Sequence, residues 1–385
     1  MSKCPRCFNP LESNWFAWTE AKPATLENDE RASAFSGRQV RMGKTCELQR
    51  PQDAAPNWVP EPQWPETQLG GPAVEICPIC HYVLPPMWRW GATTCLVMAG
   101  ARATGKTVYI AVLIKQLQMH AERMNIVVEP ANAETAEQYE NFYETPLFEE
   151  RGILGSTPSA STEGSHQHEP LIFSIGVWNG VKHYLAIRDV AGEDLENANV
   201  EGLPWQFFAA ADAVLFMFDP LKVDEIRHQL QDLVPMPSHH GGDPRTVLRT
   251  VMRLLGQGNP KLAVILSKFD ALQALQGVRG SDWGRIMNNA GAAFSRDPSL
   301  RPAPYDEEDG QRLDAEVSSL LQKLDAGPMI KNLENPATGQ RYTNRFFAVS
   351  ALGESPVGAR LHANGITPFR CMDPVRWVLA DQGVL

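Results

Sequence analysis

The sequence predicts an α/β protein built on a mainly parallel sheet, and three features carry that expectation. Gly100-Ala-Arg-Ala-Thr-Gly-Lys-Thr107 is a complete GxxxxGK[ST] phosphate loop, entered from the apolar run Thr93 to Ala99 and left through the apolar stretch Val108 to Leu117. The short runs Ala213 to Phe218, Leu262 to Leu266 and Arg345 to Val349 have the length and near-continuous hydrophobicity of strands buried on both faces. Polar or amphipathic stretches separate them, so strands alternate with helices or loops.

At 385 residues the chain exceeds the usual size of one domain. The expected division is an N-terminal zinc-ribbon-like segment at 1–91 and a nucleotide-binding domain at 92–385. A net charge of −10 argues against broad nucleic-acid or anionic-membrane binding and makes proteins the expected partners. No charged-then-apolar leader and no uninterrupted apolar segment of about 18 residues is apparent, so a cytoplasmic chain without a membrane span is expected. Oligomeric state is not legible.

Cys4-Pro-Arg-Cys7 and Cys77-Pro-Ile-Cys80 suggest a single four-thiolate Zn²⁺ site. Residues 8–76 separate the pairs, far more than in a compact ribbon. Loop closure costs only about 0.6 kcal/mol per doubling of length, little beside the ~10–16 kcal/mol of a structural zinc site. Cys77 to His81 also reads as CxxCH, the attachment signature of c-type haem, and a redox pair is a further alternative. Cys46, Cys95 and Cys371 are isolated, Cys95 as a small core residue.

Between the pairs, Trp15, Trp18, Trp58 and Trp64 alternate with many prolines, and no helical or strand period is sustained. Extended or irregular backbone is expected there, its aromatics lying on the main domain or anchoring a partner protein.

In the phosphate loop, backbone N–H groups at Gly100, Ala103, Thr104, Gly105 and Val108 and the start of a helix face phosphates. Lys106 adds a point charge and the Thr107 hydroxyl a Mg²⁺ ligand. Beyond it, Ile126 to Glu129 is a candidate strand and Glu134 to Tyr143 an acidic helix. Leu171 to Val177 and Lys182 to Asp189 form a hairpin about Asn179-Gly180. Gly155 to His168, Pro235 to Pro244 and Asp297 to Gly310 read as loops, with Asp306-Glu-Glu-Asp309 as a solvated surface.

Three later motifs refine the ligand. Strand Tyr184 to Arg188 ends in Asp189-Val-Ala-Gly192, a DxxG whose Asp suits Mg²⁺ and whose glycine N–H suits a γ-phosphate. Ser267-Lys-Phe-Asp270 closes another strand in [N/T/S]KxD form. Asp270 can accept from guanine N1 and N2, a donor pair that adenine lacks, while the Lys268 stem covers the base. Ser350-Ala351 ends a third, where a backbone N–H can meet guanine O6.

On these motifs, and on the cysteines ahead of them, the chain from about residue 92 onward resembles the translation-factor and Ras-like GTPases, and more narrowly the bacterial double-GTPases of conflict systems. The resemblance implies a doubly wound sheet with GTP and Mg²⁺ at the carboxyl ends of its strands. It also implies a γ-phosphate-sensing loop between Thr107 and Asp189, with Thr157 as the Mg²⁺ ligand and Thr162 second. His166 and His168 read as solvated loop residues. Two departures bear on catalysis: Glu193 stands where a water-orienting Gln is usual, and Arg102 where Gly is usual. Arg102 acts as an internal transition-state cation, blocks the site by its bulk, or faces solvent. Glu193 can orient water only if a cation offsets its charge, so hydrolysis is expected to be slow. The expected function is a GTP-hydrolysing switch whose catalytic group comprises Lys106, Glu193 and Arg102. A non-catalytic zinc-bearing adaptor, or an ATPase, is the alternative.

Overall fold

The computed structural model describes residues 2–55, 58–152, 154–155, 169–196, 201–233, 242–278, 282–301, 303–327, 331, 333–335, 338–354 and 361–384. Between the cysteine pairs lie β1 (Trp15–Glu20), β2 (Glu27–Asn28), β3 (Arg41–Met42), β4 (Thr45–Gln49) and β5 (Ala73–Ile76). They form an antiparallel sheet in the order β4-β1-β5 and a β2–β3 ribbon, joined by helices Glu30–Ser36 and Trp64–Leu69. The expectation of extended or irregular backbone is met in part: much of it is extended, but it pairs into regular strands and includes two helices. These strands are short and pair at long range, Trp15 opposite Gln49 for instance, so no local period announces them. The aromatics cluster within this insertion: Trp18 lies 5.6 Å from Trp64 and 6.0 Å from Phe16, which meets Trp58 edge-on.

The main sheet comprises β6 (Ala92–Ala99), β7 (Glu129–Pro130), β8 (Leu171–Trp178), β9 (Val181–Asp189), β10 (Ala213–Phe218), β11 (Lys261–Leu266) and β12 (Asn344–Ala348). Its order is β12-β11-β10-β6-β9-β8-β7. From β12 to β9 neighbours run parallel, and β8 and β7 add an antiparallel edge. The parallel strands are nearly continuous in Val, Ile, Leu, Phe and Ala because both faces are covered. Asn179 (φ 51°) and Gly180 (φ 79°) both take the left-handed conformation in the β8–β9 turn, as a type I′ hairpin requires. Since β6 has β9 on one side and β10 on the other, the strand order reverses at β6. In open sheets of this kind ligands bind at the carboxyl ends of the strands beside such a reversal, here β6, β9 and β10.

Other boundaries shift for identifiable reasons. The strand expected at Ile126 to Glu129 is only the two-residue β7. Helix Ala133–Tyr139 passes into a wider helical stretch, Glu140–Glu149, with Pro146, which has no N–H to donate, inside it. The acidic run at 306–309 is not loop, since Asp306 caps helix Glu307–Lys323; Asp306, Glu307 and Glu308 are exposed as expected, but Asp309 is buried against Arg296 and Arg370. Most of the loop expected at 155–168, and residues 235–241, lie outside the described residues.

Side-chain alternation along β9 sends neighbours to opposite faces. Tyr184 stacks on Trp88 at 4.3 Å and Arg188 donates to the carbonyl of Arg6, so this face carries the N-terminal cysteine element. Asp189 meets Thr107 and Tyr143 on the other face, under helix Lys106–Glu122. The N-terminal element thus serves as one covering layer of the sheet. Lys3 reaches Asp212 at 2.7 Å, Arg6 reaches Glu169 at 2.9 Å, and Phe8 meets Phe207 edge-on.

Trp88 is fully buried at this junction and donates Nε1–H to the Lys3 carbonyl at 2.8 Å. Trp88→Ala should lower unfolding free energy by about 3–5 kcal/mol in a urea titration. A loss below about 1 kcal/mol would mean that the N-terminal element is not part of the cooperative core.

Candidate functional site

Gly100 to Thr107 connects β6 to helix Lys106–Glu122. Gly100 has φ 147°, and a Cβ there would fall 2.1 Å from the Met217 carbonyl oxygen, so only glycine fits. Ala103 (φ 59°) and Gly105 (φ 88°) supply the other left-handed turns, and Thr104 donates its hydroxyl to the Ala101 carbonyl at 3.0 Å. Lys106 is 5% exposed, its ammonium donating to the carbonyls of Gly100 (2.8 Å) and Ala101 (3.1 Å). Burial pushes its pKa down to about 8, against the opposing pull of Asp189 and Glu196. Val108 packs on the core from the helix's first turn.

Thr107 Oγ1 donates to Asp189 Oδ2 at 3.3 Å, and the Tyr143 hydroxyl reaches the same oxygen at 3.5 Å. A hydroxyl and a carboxylate side by side are hard oxygen donors of the kind Mg²⁺ takes. Thr157, Thr162, His166 and His168 lie outside the described residues. Gly192 lies directly on the phosphate loop: a Cβ there would fall 2.3 Å from the Arg102 nitrogen. The Arg102 guanidinium faces the Glu193 carboxylate at 3.8 Å, both about half exposed.

Two further residues meet this loop, and no motif announces them. Glu196 Oε1 accepts the N–H of Arg102 at 2.8 Å and that of Gly242 at 3.0 Å, while the Lys222 ammonium donates to the Arg102 carbonyl at 3.2 Å. A usable hint for Lys222 was Asp219-Pro220, a capped turn closing β10.

The second set of motif residues converges at the ends of β11 and β12. The Ser267 hydroxyl donates to the Phe218 carbonyl at 2.9 Å, and Lys268, at φ 51°, reaches buried Asp219 at 3.0 Å. Ser350 Oγ donates to Asp270 Oδ1 at 2.7 Å and accepts the N–H of Gly353 at 3.0 Å, with Ala351 beside it, half-buried against the core. Residues 80 apart in sequence are thereby joined through a carboxylate.

The four cysteines Cys4, Cys7, Cys77 and Cys80 are buried together, their sulfurs all within 4.8 Å of one another. Cys4 Sγ lies 3.5 Å from Cys80 Sγ, and Cys7 Sγ 3.8 Å from Cys77 Sγ. A tetrahedron with Zn–S bonds of about 2.3 Å has edges of about 3.8 Å, so the cluster fits zinc. Both knuckles have the same build. Phe8 (φ 61°) and His81 (φ 53°) each follow the second cysteine in a left-handed turn, donating to the carbonyls of Cys4 and Cys77. Burial among sulfurs pushes the thiols of Cys4 and Cys80 well up, a cost that a dication binding thiolates removes. His81 Nδ1 lies 2.7 Å from Asp29 Oδ2, and its Nε2 3.1 Å from Arg31, holding the insertion to the knuckle.

Purified protein should therefore contain about one Zn²⁺ per chain, and Cys77→Ser should lower that content and loosen the N-terminal element. Stoichiometric zinc retained after loss of both cysteine pairs, measured by plasma emission, would place the metal elsewhere.

No protein-family model matches the chain. The bacterial selenocysteine-specific elongation factor EF-Sec is similar at 12% identity over 67% of this chain and 25% of its own, with a TM-score of 0.25, too weak a likeness to bear on the fold. Among described residues no helix is long and apolar enough to cross a membrane. A curated protein of Mycolicibacterium smegmatis, "Putative ESX-1 scaffolding and assembly protein SaeC", is 52% identical over 388 aligned residues that span all of both chains. That description names ESX-1 scaffolding and assembly, not a conflict system, and the conflict-system expectation is accordingly withdrawn. With half its residues shared along the whole length, the chain belongs to the SaeC family.

Proposed function

We propose that this protein is a GTP-binding, slowly GTP-hydrolysing switch whose nucleotide state changes its grip on a protein partner during ESX-1 assembly. One observation carries the reading: a phosphate loop, a DxxG glycine and a [N/T/S]KxD carboxylate follow the carboxyl ends of β6, β9 and β11 of one sheet, with β10 between β6 and β11. Gly192 lies on the Arg102 nitrogen and Asp270 is held by Ser350. The assembly role extends to this chain what its SaeC relative's description says of that protein. Residues 92–385 form the nucleotide domain in this reading and 1–91 the zinc-bearing element, acting in the cytoplasm.

The chemistry follows from the groups in place. Lys106 trades its loop carbonyls for β- and γ-phosphate oxygens, and loop N–H groups including those of Ala103, Gly105 and Val108 complete the cradle. Thr107 and Asp189 would hold Mg²⁺, with Thr157 as a further ligand, and a metal held there would supply positive charge beside the β- and γ-phosphates. Gly192 N–H senses the γ-phosphate, so its loss on hydrolysis frees the DxxG segment from the loop. Asp270 and the Lys268 stem select guanine, with Ser350 and Ala351 at O6. A second reading, a non-catalytic adaptor, draws on the word scaffolding in the relative's description. It is separated from the first by turnover.

Lys106 supplies a test with a sign. Its folded pKa of about 8 lies below the unfolded value near 10.4. Burying the ammonium therefore costs stability below about pH 8, and the cost fades as pH rises toward 10.4. Lys106→Met keeps the stem and drops the charge. Its stability relative to wild type should be higher at pH 7 than at pH 10, because the buried charge it removes offsets the donors lost to the Gly100 and Ala101 carbonyls only while the lysine is protonated, and it should lose triphosphate affinity by more than about tenfold. Wild-type affinity should fall above pH 8 as the ammonium is lost. Calorimetric titration checks both, and unchanged triphosphate affinity in the variant would remove the phosphate-loop assignment.

A further inference from the structure

The carboxylate that follows the DxxG glycine is not the one nearest the loop backbone. Glu193 is turned to the rim, 3.8 Å from the Arg102 guanidinium and about half exposed. Glu196 lies one turn further along helix Gly192–Glu196. Two backbone donors hold its Oε1, the N–H of Arg102 at 2.8 Å and that of Gly242 at 3.0 Å. The Arg102 nitrogen is also the atom on which Gly192 is packed, so in the reading that gives Gly192 the γ-phosphate, Glu196 stands on the same side of the loop. Both glutamates are only partly buried, but two backbone N–H donors orient the Glu196 carboxylate in advance.

We propose that Glu196, rather than Glu193, orients and deprotonates the attacking water. This rests on the reading of the site as a triphosphate hydrolase. A carboxylate beside a triphosphate is repelled unless cations offset it. They are present: Lys222 donates to the carbonyl of the same Arg102 residue at 3.2 Å, and the Lys106 ammonium lies behind the loop. Opposite charges thus flank one residue of the loop, Glu196 on its N–H and Lys222 on its carbonyl. In the step, the water oxygen forms a bond to the γ-phosphorus as the bond to the β–γ bridging oxygen breaks. The electron pair of that bond stays on the diphosphate. One water proton passes to Glu196 and from there to solvent, leaving diphosphate, orthophosphate and one proton. Arg102, facing Glu193, is free of this role, and Glu193 serves to hold the Arg102 guanidinium at the rim.

The test compares E196Q with E193Q under saturating GTP and Mg²⁺. Glutamine keeps an acceptor oxygen for both N–H groups, so a purely structural tie survives in E196Q while the charge is lost. The expected result is a fall in kcat of about a hundredfold in E196Q with KM and fluorescent-GTP affinity unchanged, and a smaller fall in E193Q. Full turnover in E196Q, or loss of turnover in E193Q alone, would overturn the assignment. So would an E196Q variant that loses affinity or unfolding midpoint but keeps kcat, since Glu196 would then be a strut. A wild-type protein that binds GTP without any turnover removes hydrolysis itself, and this role with it. A wild-type that turns over beside an equally active E196Q removes this role only.

Discussion

The pleat of β9 is the constraint on which both sites depend. Because adjacent side chains must point to opposite faces, Arg188 enters the cysteine layer and Asp189 the phosphate-loop layer, and neither can shift without moving the other. Arg188 is partly buried, its pKa pushed down to about 10 by desolvation and by Arg6. Such a cation needs anionic neighbours. Glu169 is one, and the cysteine cluster would be the other: four thiolates around a divalent ion would leave two negative charges, which Arg6 and Arg188 would offset. The N-terminal element is thus more than an appendage, since it covers a sheet face and supplies charge to a strand whose end meets Thr107.

The phosphate loop shows the opposite balance. Lys106 is buried with its charge facing carbonyl oxygens, an arrangement that lowers stability and makes sense as readiness for an anion. Gly100 and Gly192 allow close backbone approach, to Met217 and to Arg102. In both places a side chain would separate the strand ends that must meet. Glu196 and Lys222 then fix the Arg102 peptide from two directions.

Much of this was legible in the sequence, because the strands of the parallel sheet are apolar runs that end in motif residues. Ala213–Phe218 appears as read, and β6, β11 and β12 differ only by a residue or so at their ends. The β8–β9 hairpin followed from Asn179-Gly180. The two cysteine pairs do converge, despite residues 8–76 between them. What was not legible was long-range. The strands of the insertion's main sheet are set by distant partners, as Trp15 is by Gln49 and Ala17 by Ile76. Asp309 reads as surface until Arg370 arrives 61 residues later. Glu196 and Lys222 belong to no spacing rule, and their place at Arg102 is a product of the fold.

The central claim is that the site takes a guanine nucleoside triphosphate, and the direct measurement is calorimetric titration of nucleotide-free protein with GTP and with ATP, each with Mg²⁺. The account predicts one GTP per chain, with excess ATP unable to compete, because Asp270 addresses two donors that adenine lacks. Binding of ATP in preference to GTP, or of neither at millimolar concentration, would contradict it.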